Sequence, residues 1–171
     1  MSLDNIRLNE YEKELSRVSL CIGKSKSMND ALPCYEYLYK IKNKIPKELY
    51  AYYYRSLLQM STRNVPKELR LKMFEDINQE DIMYQDELDA INKFEKYITI
   101  YRGTTSNEIK PGLSWSLKKY IAESFINGRK NGILFEATIS KNDILLYFCH
   151  EEAEEEIIAN VTHNYKIIKE F

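Results

Sequence analysis

Between residue 3 and about residue 97, apolar side chains recur every three or four positions, with few strand-like stretches. That spacing lines one face of an α-helix. The clearest stripe is Tyr50, Tyr53, Tyr54, Leu57 and Leu58, at i, i+3, i+4, i+7 and i+8, and it predicts a helix buried along that line. The tetrapeptide Pro-Lys-Glu-Leu occurs at 46–49 and again at 66–69. Each proline fits a first helical turn, where its missing N–H leaves nothing unsatisfied, and each glutamate sits at the positive end of the dipole. A further helix is predicted over 81–96, turning Met83, Leu88, Ile91 and Phe94 inward. The pattern gives four or five helices in all. The chain has 14 tyrosines. Their placement at helical spacing beside leucines makes them amphipathic core with hydroxyls at the rim, rather than platforms for bases or sugars.

Near residue 97 the period changes from helical to alternating. Residues 97–101 are β-branched and aromatic, predicting a strand that ends at Arg102-Gly103,. Residues 104–111 are polar and loop-like. A short helix is predicted over 117–126, with Tyr120, Ile121 and Phe125 apolar and Gly128 placed to stop it,. An Asn131-Gly132 turn leads into a strand over 132–139,. Further strands are predicted over 143–148, 156–161 and 165–168. Five strands and one short helix after a helical half indicate an α+β fold. Its helical region is expected over 1–96 and its β-core over 97–171, together forming one compact unit.

Composition narrows the setting. A chain of 171 residues, 44% hydrophobic, suffices for one well-packed domain or two small lobes,. The 25 basic and 26 acidic residues balance, so no basic field indicates nucleic acid or anionic lipid. Five glycines and four prolines are too few for linkers,. The first residues lack the apolar core of a secretory signal, and no apolar run is long enough to span a bilayer. Cys21, Cys34 and Cys149 are odd in number and widely spaced, unlike a disulfide framework or a zinc site,. The expectation is a soluble protein of a reducing cytoplasm. The Lys/Ile/Asn/Tyr/Glu-rich vocabulary is that of an AT-rich genome, bacterial or phage. No glycine-rich phosphate loop occurs, and His150 and His163 lack the spacing of metal ligands. Cys149 beside His150 does not form a nucleophilic dyad by adjacency alone.

Three short stretches carry the chemistry. Residues 151–156 hold five glutamates, which as a bare charge run would be a solvated loop,. The continuation Ile157-Ile158-Ala159 instead makes Glu156 the first residue of a buried strand. Glu154 and Glu156 then share a face while Glu155 points away. Two carboxylates that close repel, the arrangement of an acid/base pair, and carboxylates stabilise the oxocarbenium-like state of glycosidic cleavage. Arg102 offers a planar fork suited to a pyrophosphate, and Gly103 lets a ligand approach the backbone. Taken alone, Arg102 would be a strand-end arginine in a surface ion pair. Ser114 and Ser116 alternate on a short extended stretch, so their hydroxyls share a face opposite Trp115. Either serine also reads as a helix cap, which leaves the other for a site.

Arg102, the triplet Ser114-Trp115-Ser116 and Glu154-x-Glu156 resemble the R-S-E constellation of mono-ADP-ribosyltransferases, most closely the small bacterial and phage type. The likeness extends to Tyr101 and Gly103 around the arginine, to Leu117, Ala122 and Phe125, to residues 141–148, and to Ile157-Ile158. It covers about 98–168, under half the chain, and none of the helices before it. It implies a mostly antiparallel β-sandwich of ADP-ribosyltransferase type behind a helical lobe. It also implies NAD as co-substrate, with no metal, and an unidentified protein acceptor, arginine being the acceptor associated with a glutamate at 154. The resemblance implies roles residue by residue. Tyr101, Arg102, Gly103, Ser114, Ser116 and Phe125 would bind NAD, with Arg102 on the phosphates and Gly103 on the nicotinamide amide. Ser114 would orient Glu156, which stabilises the oxocarbenium ion, and Glu154 would activate the acceptor. Phe125, or else Trp115, would wall the nicotinamide, and residues 148–153 would read the acceptor. Trp115 stands where toxins of the family usually have threonine, and the gap from Arg102 to Ser114 is short, which leaves the pocket's lid open. An NAD glycohydrolase and an inactive binding module on the same scaffold remain alternatives.

Overall fold

A computed structural model describes residues 8–28, 31–60, 64–105, 110–149 and 155–170. The chain divides into two compact units, Met1–Ile82 and Met83–Phe171.

The first unit is helical: α1 (Glu12–Met28), α2 (Leu32–Ile41), α3 (Lys47–Met60), α4 (Lys67–Phe74) and α5 (Gln79–Ile82). Of the predicted stripe of α3, Tyr50, Tyr54, Leu57 and Leu58 are at or below 7% exposure, while Tyr53 is half-buried. Tyr54 is the hub. Its ring meets Tyr35 edge-on at 6.0 Å and Phe74 at 4.8 Å, and its hydroxyl donates to the Arg70 carbonyl at 2.7 Å. Such aromatic pairs contribute about 0.5–1.5 kcal/mol beyond burial, so Tyr35, Tyr50 and Tyr54 are core, while Tyr52 of α3 is exposed. Both Pro-Lys-Glu-Leu segments start helices, and the proline carbonyls accept the first backbone bonds, from Tyr50 N at 3.0 Å and Arg70 N at 3.2 Å. The cysteine expectation needs correcting. Cys21 and Cys34 form a disulfide, because α1 and α2 bring their Cα atoms within 5.5 Å, a normal bridging separation.

The helix predicted over 81–96 is two helices, α5 and α6 (Gln85–Lys93). The break follows from local hydrogen bonds. Arg55 Nη1 donates to the Ile82 carbonyl at 3.1 Å, taking the acceptor a continuing helix would use. Tyr84 is extended at φ −78°, ψ 162°, and its N–H donates to Glu87 Oε2 at 2.9 Å, starting the next helix,. With this break the described residues before β1 hold six α-helices, where four or five were expected.

The second unit joins α6 to a sheet of β1 (Tyr97–Thr104), β2 (Ser114–Ser116), β3 (Ile133–Ser140), β4 (Ile144–Phe148), β5 (Glu156–Ala159) and β6 (Tyr165–Glu170), with α7 (Lys119–Ser124) after β2. The boundary expected at 96/97 falls instead between Ile82 and Met83, because α6 packs on the sheet. Phe94 meets the Tyr147 ring at 5.4 Å, and Lys141 Nζ donates to the Asn92 carbonyl at 3.1 Å. Strand order is β4-β5-β2-β1-β3-β6, every pair antiparallel. The fold is thus α+β, with six strands among the described residues where five were expected. The strands make one hydrogen-bonded sheet, where two sheets of a sandwich were expected. In the register of its three-stranded halves, Tyr101 of β1 is opposite Ser116 of β2. No helix among the described residues is long and apolar enough to cross a membrane.

Candidate active site

The joint between the two halves of the sheet is where the site lies. In the β2–β5 register, Ser116 is opposite Glu156 and Ser114 opposite Ile158. Strand alternation therefore sets Ser114, Ser116 and Glu156 on one face. The Ser114 hydroxyl donates to Glu156 Oε1. The two serines divide the roles read for them: Ser116 Oγ accepts from Lys118 N at 3.0 Å, shaping the turn into α7, and Ser114 holds the carboxylate. The stretch expected to open a helix is a three-residue strand first, with α7 beginning at Lys119.

Arg102 comes to the same place from β1. Its Nη1 donates to the Ser114 carbonyl at 2.8 Å, so one bond ties the arginine to the strand carrying the serine. The guanidinium lies against Gly112, where a Cβ would be 2.7 Å from Nη2. Gly112 lies just past the loop expected over 104–111 and had no role assigned from the sequence. Gly103 is small for another reason than the one inferred. A Cβ there would stand 1.9 Å from the Ala122 carbonyl oxygen, so the glycine admits the backbone of α7. The residue still lines the cleft.

Together these residues line a cleft of about 290 Å³. Tyr101, Arg102, Gly103, Ser114, Trp115, Ser116, Phe125 and Glu156 all contribute to it. So do Thr104, Thr105, Ile121, Ala122 and Arg129, which sequence reasoning missed. Arg129 is the most consequential of these, a second guanidinium at the cleft. In the sequence it sits between Gly128 and Lys130, where charge reads as a solvated turn. Of the two aromatic candidates, Phe125 is 51% exposed while Trp115 is 2% exposed. Trp115 Nε1 is buried without a hydrogen-bond partner among the described residues.

Glu154 lies outside the described residues, as do 150–153 of the acceptor-reading turn. Glu155 is turned away from Glu156 in function: its carboxylate lies 3.6 Å from Lys118 Nζ, and its carbonyl accepts from Leu117 N at 3.2 Å. The start of β5 is thereby stapled to the turn before α7. Cys149 is a poor nucleophile. Burial first, then Asp86 and Glu87, push its thiol above the ordinary value,.

Compared with protein-family models, curated proteins and solved structures, the chain matches none.

Proposed function

We propose that the protein is a mono-ADP-ribosyltransferase that moves ADP-ribose from NAD to a protein side chain, with arginine as acceptor. The observation that carries this reading is the meeting of Arg102, Ser114 and Glu156 in one cleft, from three strands and 54 residues of chain. The cleft is at the small end of ligand pockets, roughly 300–1,000 Å³, and suits the nicotinamide-ribose end of a dinucleotide better than the whole molecule. Arg102 and Arg129 supply two cations for the pyrophosphate, and a guanidinium can grip it with paired hydrogen bonds. Phe125 offers an exposed ring for the nicotinamide to lie against.

In this mechanism the bond between ribose C1′ and the nicotinamide nitrogen breaks, and its electron pair leaves with the now neutral nicotinamide. Positive charge grows on the ribose. Glu156 stabilises it, with one carboxylate oxygen fixed in advance by the Ser114 hydroxyl, so little reorganisation is needed as the charge develops. The acceptor nitrogen then attacks C1′ and gives up a proton, for which Glu154 is the base. The same reading sets the enzyme in a cytoplasm, of the producing cell or of a host. There the Cys21–Cys34 bridge would be reduced, leaving α1 held by packing.

Incubation of the protein with labelled NAD and mixed bacterial protein tests the proposal. Label on arginine side chains of protein bands, located by mass spectrometry, is the expected result. Free ADP-ribose with unlabelled protein would make water the acceptor and the protein a glycohydrolase. Neither product would remove the enzyme assignment.

A further inference from the structure

The unit Met83–Phe171 has a second concavity, of about 420 Å³, at the other end of β1. Tyr97 lines it and Gly103 lines the cleft, six residues or about 20 Å apart at the ~3.3 Å rise of a strand,. Ile139, Ala159 and Val161 among its lining residues are buried. Its rim is built of hydrogen-bonding groups, Thr138, Ser140, Asn160, Thr162 and Asn164, with one carboxylate, Asp143, and one imidazole, His163. The backbone under the rim is fixed. Thr138 N donates to the Asn164 carbonyl at 3.3 Å, and Lys141 N to the Lys96 carbonyl at 3.1 Å. Asn164 holds φ 59°, a left-handed conformation that asparagine tolerates.

Of the polar side chains here, Ser140 Oγ accepts from Asn142 N at 3.3 Å, and Thr162 Oγ1 lies 2.9 Å from His163 Nδ1. Those of Thr138, Asp143, Asn160 and Asn164 make no hydrogen bond to a described residue. Tyr97 stands beside them with 58% of its surface exposed. Lys96 Nζ lies over its ring, 5.3 Å from the centre.

The chemistry of the lining selects its guest. No lysine or arginine lines it, which disfavours phosphates, nucleotides and nucleic acid. One carboxylate is too few for a cation, and the described residues contain no group of three or more His, Cys, Asp or Glu able to hold a metal. An apolar guest would leave the amides, hydroxyls and carboxylate without partners. What fits is a neutral molecule with many hydroxyls and an apolar face. We propose that this concavity is a saccharide-binding site. Hydroxyls of the sugar pair with Thr138, Asn160, Asn164 and Asp143, while its C–H face lies on Tyr97, which shares a face of the sheet with Thr138,. The proposal is independent of what the Arg102 cleft does.

Titrating the ¹⁵N-labelled full chain with glucose, galactose, mannose, N-acetylglucosamine and their disaccharides at millimolar concentration tests it, with inorganic phosphate as comparison. Saturable shifts of amides at 97, 138–143 and 159–164 are expected with at least one sugar and not with phosphate. Tyr97→Ala, at an exposed position, should weaken that binding about tenfold, the value of a lost aromatic contact, with the remaining spectrum unchanged. The proposal is overturned if no sugar moves these amides, if phosphate moves them equally, if the shifts fall around Arg102 instead, or if Tyr97→Ala binds as tightly as the parent.

Discussion

At the scale of residues, two glycines near the cleft do different work, and substitution separates them. At Gly112 a Cβ would collide with the far end of the Arg102 side chain, which can swing aside. Gly112→Ala should therefore leave the melting temperature within a degree or two while moving the guanidinium. We expect NAD turnover to fall about 10- to 100-fold, the usual cost of a misplaced binding group. At Gly103 a Cβ would collide with the Ala122 backbone carbonyl, which cannot move without α7. Gly103→Ala should cost about 1–3 kcal/mol of stability and show as a lower melting temperature. Equal losses of stability in the two variants would contradict this account. Gly103 was legible as special because it follows Arg102, though its reason was not. Gly112 was not legible, since the side chain it accommodates belongs to a residue ten positions earlier.

At the scale of elements, the sequence spoke where the signal was local. The tyrosine-leucine stripe of α3 and the β-branched run of β1 stood out because period and propensity agree there. β2 is three residues long, below the length at which alternation can be recognised, and exists because β1 and β5 flank it. The split between α5 and α6 was hidden because Tyr84 is not a usual capping residue. Its turn depends on Glu87 and on Arg55 from α3. The Cys21–Cys34 pairing was beyond reach for the same reason, being set by how α1 meets α2. This bridge yields a test of its own. It closes a short loop, separation 13, for which chain entropy gives about 3 kcal/mol. Cys21→Ser should lower the unfolding midpoint of the helical unit and abolish its response to reductant. A midpoint indifferent to both would show that the bridge does not form.

At the scale of the whole molecule, buried tyrosines make stability sensitive to alkali. Burial is the first cause raising the Tyr54 and Tyr50 hydroxyls in the helical unit, and it pushes Tyr147 in the sheet unit up to about 12. In the unfolded chain these groups ionise near pH 10. The folded protein keeps their protons longer, so their contribution is fully present below about pH 10 and is lost as pH rises from there towards about 12. Denaturant midpoints should stay level up to about pH 10 and fall beyond it, and a level profile throughout would contradict the burial. The central claim is that a carboxylate held by a serine hydroxyl beside an arginine cleaves NAD. Its most direct measurement is the rate of nicotinamide release by the parent chain and by Glu156→Gln, with circular dichroism to verify the fold. The account predicts a fall of roughly 10²–10³-fold, as for loss of a transition-state electrostatic group, with the spectrum unchanged. Release at the parent rate by a folded Glu156→Gln protein, or none by the parent itself, would contradict it.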